Sequence, residues 1–233
     1  GKQPEGRYVS SAKKLSNADV GEVVKFGVDP TGPVGGSLLA NLIQNPSLME
    51  RVNQGREVGY IIIFVGLIGI AIAFWKLFTL YTMGVAVAKQ AKSKTHDKSN
   101  PLGRVLAAGE EHMNKDIETL ELRLAEAIMA ERPAIERGIP VVKIISVVAP
   151  LAGLLGTVTG MIVTFQQITL FGTGDPKIMA GGISQALVTT VLGLVVAIPT
   201  TLLHSFANSS ARGIINVLEE QSTGIVAEHS DSK

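Results

Sequence analysis

Ser184, Gln185, Thr189 and Thr190 stand together in a stretch, Ile178 to Ala211, that holds no formally charged residue over 34 positions. Their chemistry is that of neutral oxygens and amides, which bond one another, bond a backbone carbonyl, or replace part of an ion's hydration. None of them binds and releases a proton near neutral pH. Gln185 and Thr189 are four apart and share a helical face, which Gly182 and Gly193 extend with small residues. Such a face suits close contact with a helix carrying a polar group, or a water-lined path. The preceding uncharged segment, Ile144 to Gly174, adds Thr157, Thr159, Thr164, Gln166 and Gln167. A threonine in a membrane helix also commonly bonds the carbonyl one turn back and needs no further role. No acid occupies either segment. If protons cross here, another chain must supply the carboxylate. His204 sits near the end of its segment, where a solvated or headgroup-contacting imidazole is the expected reading.

The elements that position these groups follow from length. At about 1.5 Å rise per residue, the 34 residues from Ile178 exceed the roughly 30 Å of a hydrocarbon core, so the stretch spans a bilayer. The 31 residues from Ile144, approached through Pro140 and Lys143, form a second span. Pro150, Gly153, Gly156 and Gly160, with Gly182 and Gly193 on the return, are the candidate packing residues; Gly156 and Gly160 have the small-residue spacing that lets helices approach closely. So short a turn as 172–177 makes the two an antiparallel hairpin. Upstream, Val58 to Trp75 is uncharged over 18 residues, with Tyr60 and Trp75 at its ends as aromatic belts prefer. Lys76 then meets the interface, where its stem is expected to snorkel toward headgroups. Periodicity continues through Leu77, Leu80, Tyr81 and Val85, carrying the helix out of the bilayer toward Lys89, Lys92 and Lys94.

The rest is polar. Residues 1 to about 35 read as a linker or the end of something larger, turn-rich at Asp29-Pro30-Thr31-Gly32-Pro33. Ser37 to Gln54 has near-helical apolar spacing interrupted at Asn45-Pro46-Ser47, and either lies on the membrane surface or packs on neighbouring protein. Leu102 to Glu131, between breaks at Ser99-Asn100-Pro101 and Arg132-Pro133, is an amphipathic helix whose stripe faces solvent or packs on the first span's extension. Lys76, Lys89, Lys92, Lys94, Lys98, Arg132, Arg137 and Lys143 flank this middle segment, whereas the hairpin turn has only Lys177, so the middle segment is expected inside. The expected order is a periplasmic segment 1–57, a first span and its extension 58–88, a cytoplasmic helical region 89–139, a second span 140–171, a turn 172–177, a third span 178–211 and a cytoplasmic tail 212–233. Composition agrees: 46% hydrophobic against 18% charged residues, with mean hydropathy +0.32. A net charge of +1 excludes the basic footprint of a nucleic-acid binder, and the absence of cysteine excludes disulfides and thiol chemistry. No metal-ligand spacing or nucleophile–base pair is present, so neither a cofactor nor an enzyme is expected.

Ala149-Pro150-Leu151-Ala152-Gly153-Leu154-Leu155-Gly156-Thr157-Val158-Thr159-Gly160-Met161, Gly182-Ile183-Ser184-Gln185-Ala186-Leu187 and Gly193-Leu194-Val195-Val196-Ala197-Ile198-Pro199 resemble the MotA/TolQ/ExbB proton channel family, most closely its longer ExbB-type members with an extra N-terminal periplasmic region. The resemblance covers about residues 58 to 212. It implies an all-α integral membrane protein of the bacterial inner membrane, with three transmembrane helices extending into a cytoplasmic helical layer. It also implies a homopentamer around two ExbD-like single-span helices, each bearing an intramembrane aspartate, that drives a TonB-like protein for outer-membrane uptake. Thr157 and Thr190 take the places of the family's pore threonines. Gln185 stands where ExbB and TolQ usually carry glutamate; glutamine exchanges no proton, so Gln185 is expected to shape the entry of an ion pathway along Thr157, Gln185, Thr189 and Thr190. Thr157, Thr189 and Thr190 also resemble the hydroxyl-lined site of sodium-driven PomA stators, so protons come first and sodium second. A non-conducting scaffold is the reading from a different class.

Overall fold

The computed structural model describes residues 6–25, 52–93, 97–172 and 176–231, and among these every regular element is helical. Residues 1–51 form a unit of their own, in which α1, Gly6–Ser16, ends on Lys13 and Lys14, cations that suit a helix C-terminus. A helix thus stands in the stretch expected to be a linker or the end of something larger. Of the amphipathic stretch 37–54, all but 52–54 lies outside the described residues.

The second unit, 52–233, is built on three helices long and apolar enough to cross a membrane: α2 (Arg56–Gln90), α5 (Ile139–Phe171) and α6 (Pro176–Asp231), with α3 (Pro101–Glu111) and α4 (Ile117–Glu136) between α2 and α5. Together they make an all-α membrane protein. On α2 the buried positions are Gly59, Ile62, Gly66, Gly69, Ala73, Lys76, Leu80, Val87 and Gln90, spaced by three, four or seven residues so that they draw a single stripe. Glycine in this stripe brings α2 against its neighbours. A Cβ at Gly66 would lie 2.6 Å from the Val196 side chain, and one at Gly69 would lie 2.9 Å from Ile145. Around the stripe, Tyr60, Ile61, Phe64, Leu67, Phe74, Trp75 and Phe78 are exposed, as a lipid-facing surface requires.

Lys76 corrects the snorkelling expectation. It falls on the buried stripe, is 3% exposed, and donates from Nζ to the Ala134 carbonyl at 3.0 Å. Ala134 is in the last turn of α4, whose final carbonyls have no partner within their own helix. The ammonium therefore caps α4 where it turns, through Arg137 and the left-handed Gly138, into α5.

Beyond the spans, Leu80 and Val87 of α2, Leu102, Val105 and Leu106 of α3, Leu120, Leu124, Ile128 and Ile135 of α4, and Ala207, Ala211, Ile214, Ile215 and Leu218 of α6 close into one core. Two helices occupy the stretch read as one from Leu102 to Glu131. Asp116 separates them, its carboxylate accepting from the Thr119 backbone at 3.0 Å as an N-cap. Pro133, expected to end the helix, lies inside α4. It lies on the exposed side of α4, one turn after the 70% exposed Met129, and costs the helix one internal hydrogen bond. Residues 212–231, expected as a tail, continue α6 as helix to Asp231 and supply the core's Ile214, Ile215 and Leu218.

The layer is pinned by polar contacts at its edge. Asn100 caps α3, its Oδ1 accepting from Gly103 N at 2.8 Å, while its Nδ2 donates to Asp97 O and Gln90 Oε1. Arg104 forms a two-pronged pair with Glu131, both contacts 2.7 Å, which joins α3 to α4 and raises the guanidinium further above its ordinary value.

Candidate functional site

The predicted packing residues meet along one seam. Gly153, Gly156, Gly160 and Thr164 run down α5 at helical spacing, opposite Gly193, Thr189, Ala186 and Gly182 of the antiparallel α6. A Cβ at Gly156 would lie 2.5 Å from the Thr189 Cβ, one at Gly153 2.9 Å from the Thr189 carbonyl, and one at Gly193 2.7 Å from the Ala149 carbonyl and 3.3 Å from the Pro150 Cα. Any side chain here would force the helices apart. Thr189 fills the Gly156 notch, 0% exposed, and its hydroxyl donates to Ala186 O at 2.8 Å. Thr164 does the same against Gly182, donating to Gly160 O at 2.9 Å.

Thr157 and Thr190 each come one position after a seam residue, rotated about 100° out of it. Ile145, Leu192 and Val196, which meet Gly69, Gly59 and Gly66 of α2, lie on the other shoulder of the same two helices. Because α5 and α6 run antiparallel, both threonines emerge on one flank, the one turned away from α2. The Thr157 hydroxyl donates to Leu154 O at 2.6 Å. The Thr190 Oγ1 is buried with no hydrogen-bond partner, the one such side-chain atom among the described residues. A buried hydroxyl left unpaired costs about 1–3 kcal/mol. Leu154, Leu187 and Leu194 surround the pair with exposed apolar surface.

Gln185 goes elsewhere. Five residues before Thr190, it is turned about 140° from it and lies on the α2 shoulder. There it lines a cleft of ≈ 340 Å³ with Thr164 and Gln167 of α5 and with Asn53, Gln54 and Arg56 at the start of α2. Ser184 donates to Gln54 Oε1 at 3.2 Å across the same end. The stripe Ser184 to Thr190, continuous in sequence, is thus divided among a cleft, a seam and a flank. Thr157, Thr189 and Thr190 do not converge as one ligand set, since Thr189 points into the seam. Among the described residues no group of three His, Asp or Glu could hold a metal. Asn53, Gln54 and Arg56 escaped notice because nothing in their spacing links them to residues over a hundred positions later. His204 is half-buried on α6.

The comparisons with known proteins agree with this architecture. The model of the MotA/TolQ/ExbB proton channel family matches residues 97–220. A Synechocystis protein named putative biopolymer transport protein ExbB-like 1 is 29% identical over 175 residues, covering 67% of this chain and 69% of that protein. A Methanothermobacter thermautotrophicus protein, putative biopolymer transport protein ExbB homolog, is 26% identical over 189 residues, covering 74% and 67%. The biopolymer transport protein ExbB of Aquifex aeolicus is 48% identical over 58 residues, 25% of this chain and 39% of that protein.

Proposed function

The chain belongs to the MotA/TolQ/ExbB proton channel family, and from that premise we propose that it is the ring-forming subunit of an inner-membrane ion-driven motor. Five copies surround two single-span ExbD-like helices, and proton flow past the partner's aspartate moves a TonB-like protein for outer-membrane uptake. The N-terminus is periplasmic and the C-terminus cytoplasmic, in line with the basic residues that flank the helical layer.

One observation carries the reading. The unpartnered Thr190 hydroxyl stands on the same flank as Thr157, on two spans without a carboxylate of their own. The Thr190 hydroxyl is shielded within the chain, and rotation about its Cα–Cβ bond would offer it as a donor to a carboxylate arriving on another helix. Hydrogen bonding favours the charged form of that acid and desolvation favours the neutral one. An aspartate moving between water and this flank would alternate between them, which is how a side chain carries a proton step. Thr189 and the seam glycines serve by holding the flank rigid, not by touching the ion.

Protons are favoured over sodium because the three threonine hydroxyls are dispersed between seam and flank. Sodium-coupled transport would be recognised by flux that survives a proton uncoupler and stops when sodium is removed. The direct test co-reconstitutes the subunit with its single-span partner in vesicles and measures proton flux. Thr190→Val and Thr157→Val should each remove the partner-dependent flux with subunit assembly intact. Unaltered flux in both variants would overturn the pathway, and flux insensitive to the partner's aspartate would favour a non-conducting scaffold.

A further inference from the structure

The cleft lined by Gln185 lies away from the flank of Thr157 and Thr190, and its polar atoms are arranged with one bias. Tyr60 donates its hydroxyl to Asn53 Oδ1 at 2.6 Å, and Ser184 donates to Gln54 Oε1 at 3.2 Å. Both amide oxygens are therefore engaged, and each side chain has its NH2 group left to offer. Arg56 adds a guanidinium, and Gln167 and Gln185 add two further amides. Among the described residues no carboxylate lines the cleft. A wall with one fixed positive charge, four side-chain amide NH2 groups and no carboxylate among the described residues suits an oxyanion better than a cation.

Position narrows the class of anion. Arg56 lies two residues before the apolar run from Val58, and Tyr60 marks the interface, so the cleft opens where headgroups meet the hydrocarbon, at the end of the spans remote from the helical core. Gly181 leaves room on the α6 side, with nothing within 4 Å of the place a Cβ would take. Arg56 itself is exposed and has φ of 47°, a left-handed backbone uncommon outside glycine and asparagine, which sets its side chain apart from the run of α2.

We propose that this cleft binds the phosphate of a phospholipid headgroup, with Arg56 as the charged anchor and the amides of Asn53, Gln54, Gln167 and Gln185 as neutral donors. The lipid ties the start of α2 to the α5–α6 hairpin at its turn. Gln185 in this chain thus faces a lipid site, away from the flank of Thr190. The proposal is independent of the ion pathway, because it requires neither flux nor a partner chain.

The test uses the full-length oligomer, delipidated in detergent and titrated with phosphatidylglycerol, with diacylglycerol, or with inorganic phosphate, bound lipid being counted by native mass spectrometry. Arg56→Asn removes the charge while tolerating the left-handed backbone, so folding is not at stake; Arg56→Lys keeps the charge. Phosphatidylglycerol should bind at one site per subunit, Arg56→Asn should weaken it about tenfold, Arg56→Lys should retain most of it, and diacylglycerol should not occupy the site. Binding unchanged in Arg56→Asn, or equal binding of diacylglycerol, would overturn the proposal. Millimolar inorganic phosphate that displaces the lipid completely would also overturn it, by showing a site for free phosphate.

Discussion

Glycine and threonine carry the fine structure of this protein, and their roles separate by one residue at a time. Gly156 and Thr189 fit as notch and knob, whereas their sequence neighbours Thr157 and Thr190 turn about 100° out of the seam and are half-buried, the Thr190 hydroxyl being shielded. Gly156→Ala should destabilise the α5–α6 hairpin by about 1–3 kcal/mol, the usual cost of an overpacked core. Thr189→Ala in the same chain should return a good part of that loss, because it empties the space the new methyl enters. A double-mutant cycle on unfolding in detergent reads the coupling, and strictly additive losses would separate the two residues. A second residue-scale effect lies outside the membrane. Hydrogen bonds from the Ser99 backbone and hydroxyl hold the Asp97 carboxyl below its usual range. A depressed carboxylate stabilises the fold above its unfolded value near pH 4 and ceases to do so as pH falls through the folded one. Ser99→Ala should move the Asp97 titration upward, as followed by carbon-detected NMR.

The long helices are held in register by contacts that cross between the membrane-spanning and extramembrane parts. Lys76 is the clearest of them, reaching from the buried stripe of α2 to Ala134 in the last turn of α4, five residues before α5 begins at Ile139. Lys76→Met keeps the stem and loses the donor, leaving the Ala134 carbonyl short of a partner at a cost of about 1–3 kcal/mol. Faster hydrogen exchange across residues 135–142, with the middle of α5 unchanged, is the expected result; unchanged exchange there would dismiss the strap. Its sequence signal existed. Glycines 59, 66 and 69 define a stripe on which Lys76 falls, and the interfacial position alone suggested the snorkelling lysine instead. Charge next to a span says that the group resists lipid; only the stripe says which way it turns.

At the scale of the whole molecule, α6 joins two environments in a single 56-residue helix. Ending the chain after Ala211 would delete Ile214, Ile215 and Leu218 from the extramembrane core, each contributing about 1.5–3 kcal/mol when buried. That sum is comparable with the stability of an ordinary domain. The truncated protein should therefore expose α4 to limited proteolysis while α5 stays protected in the membrane. An α4 as resistant as in the full chain would mean that this end of α6 is dispensable. Trp75, the single tryptophan, is 60% exposed on the outer side of α2. Its fluorescence should be quenched by brominated lipids in a reconstituted sample.

The sequence by itself determined the number of spans, the hairpin of the second and third, the helical layer and the family, because hydrophobic length and small-residue spacing are properties of neighbours along the chain. Pro133 and the end of α6 could not be read there, since whether a proline ends a helix or a tail packs depends on what lies beside it. The division of Ser184 to Thr190 among cleft, seam and flank belongs to tertiary structure alone. Two residues four apart share a face, yet which face meets α2, which meets α5 and which stays open is set by the placement of three helices together. That placement gives Thr189 a packing role, leaves Thr190 its free hydroxyl, and sets Gln185 beside Arg56.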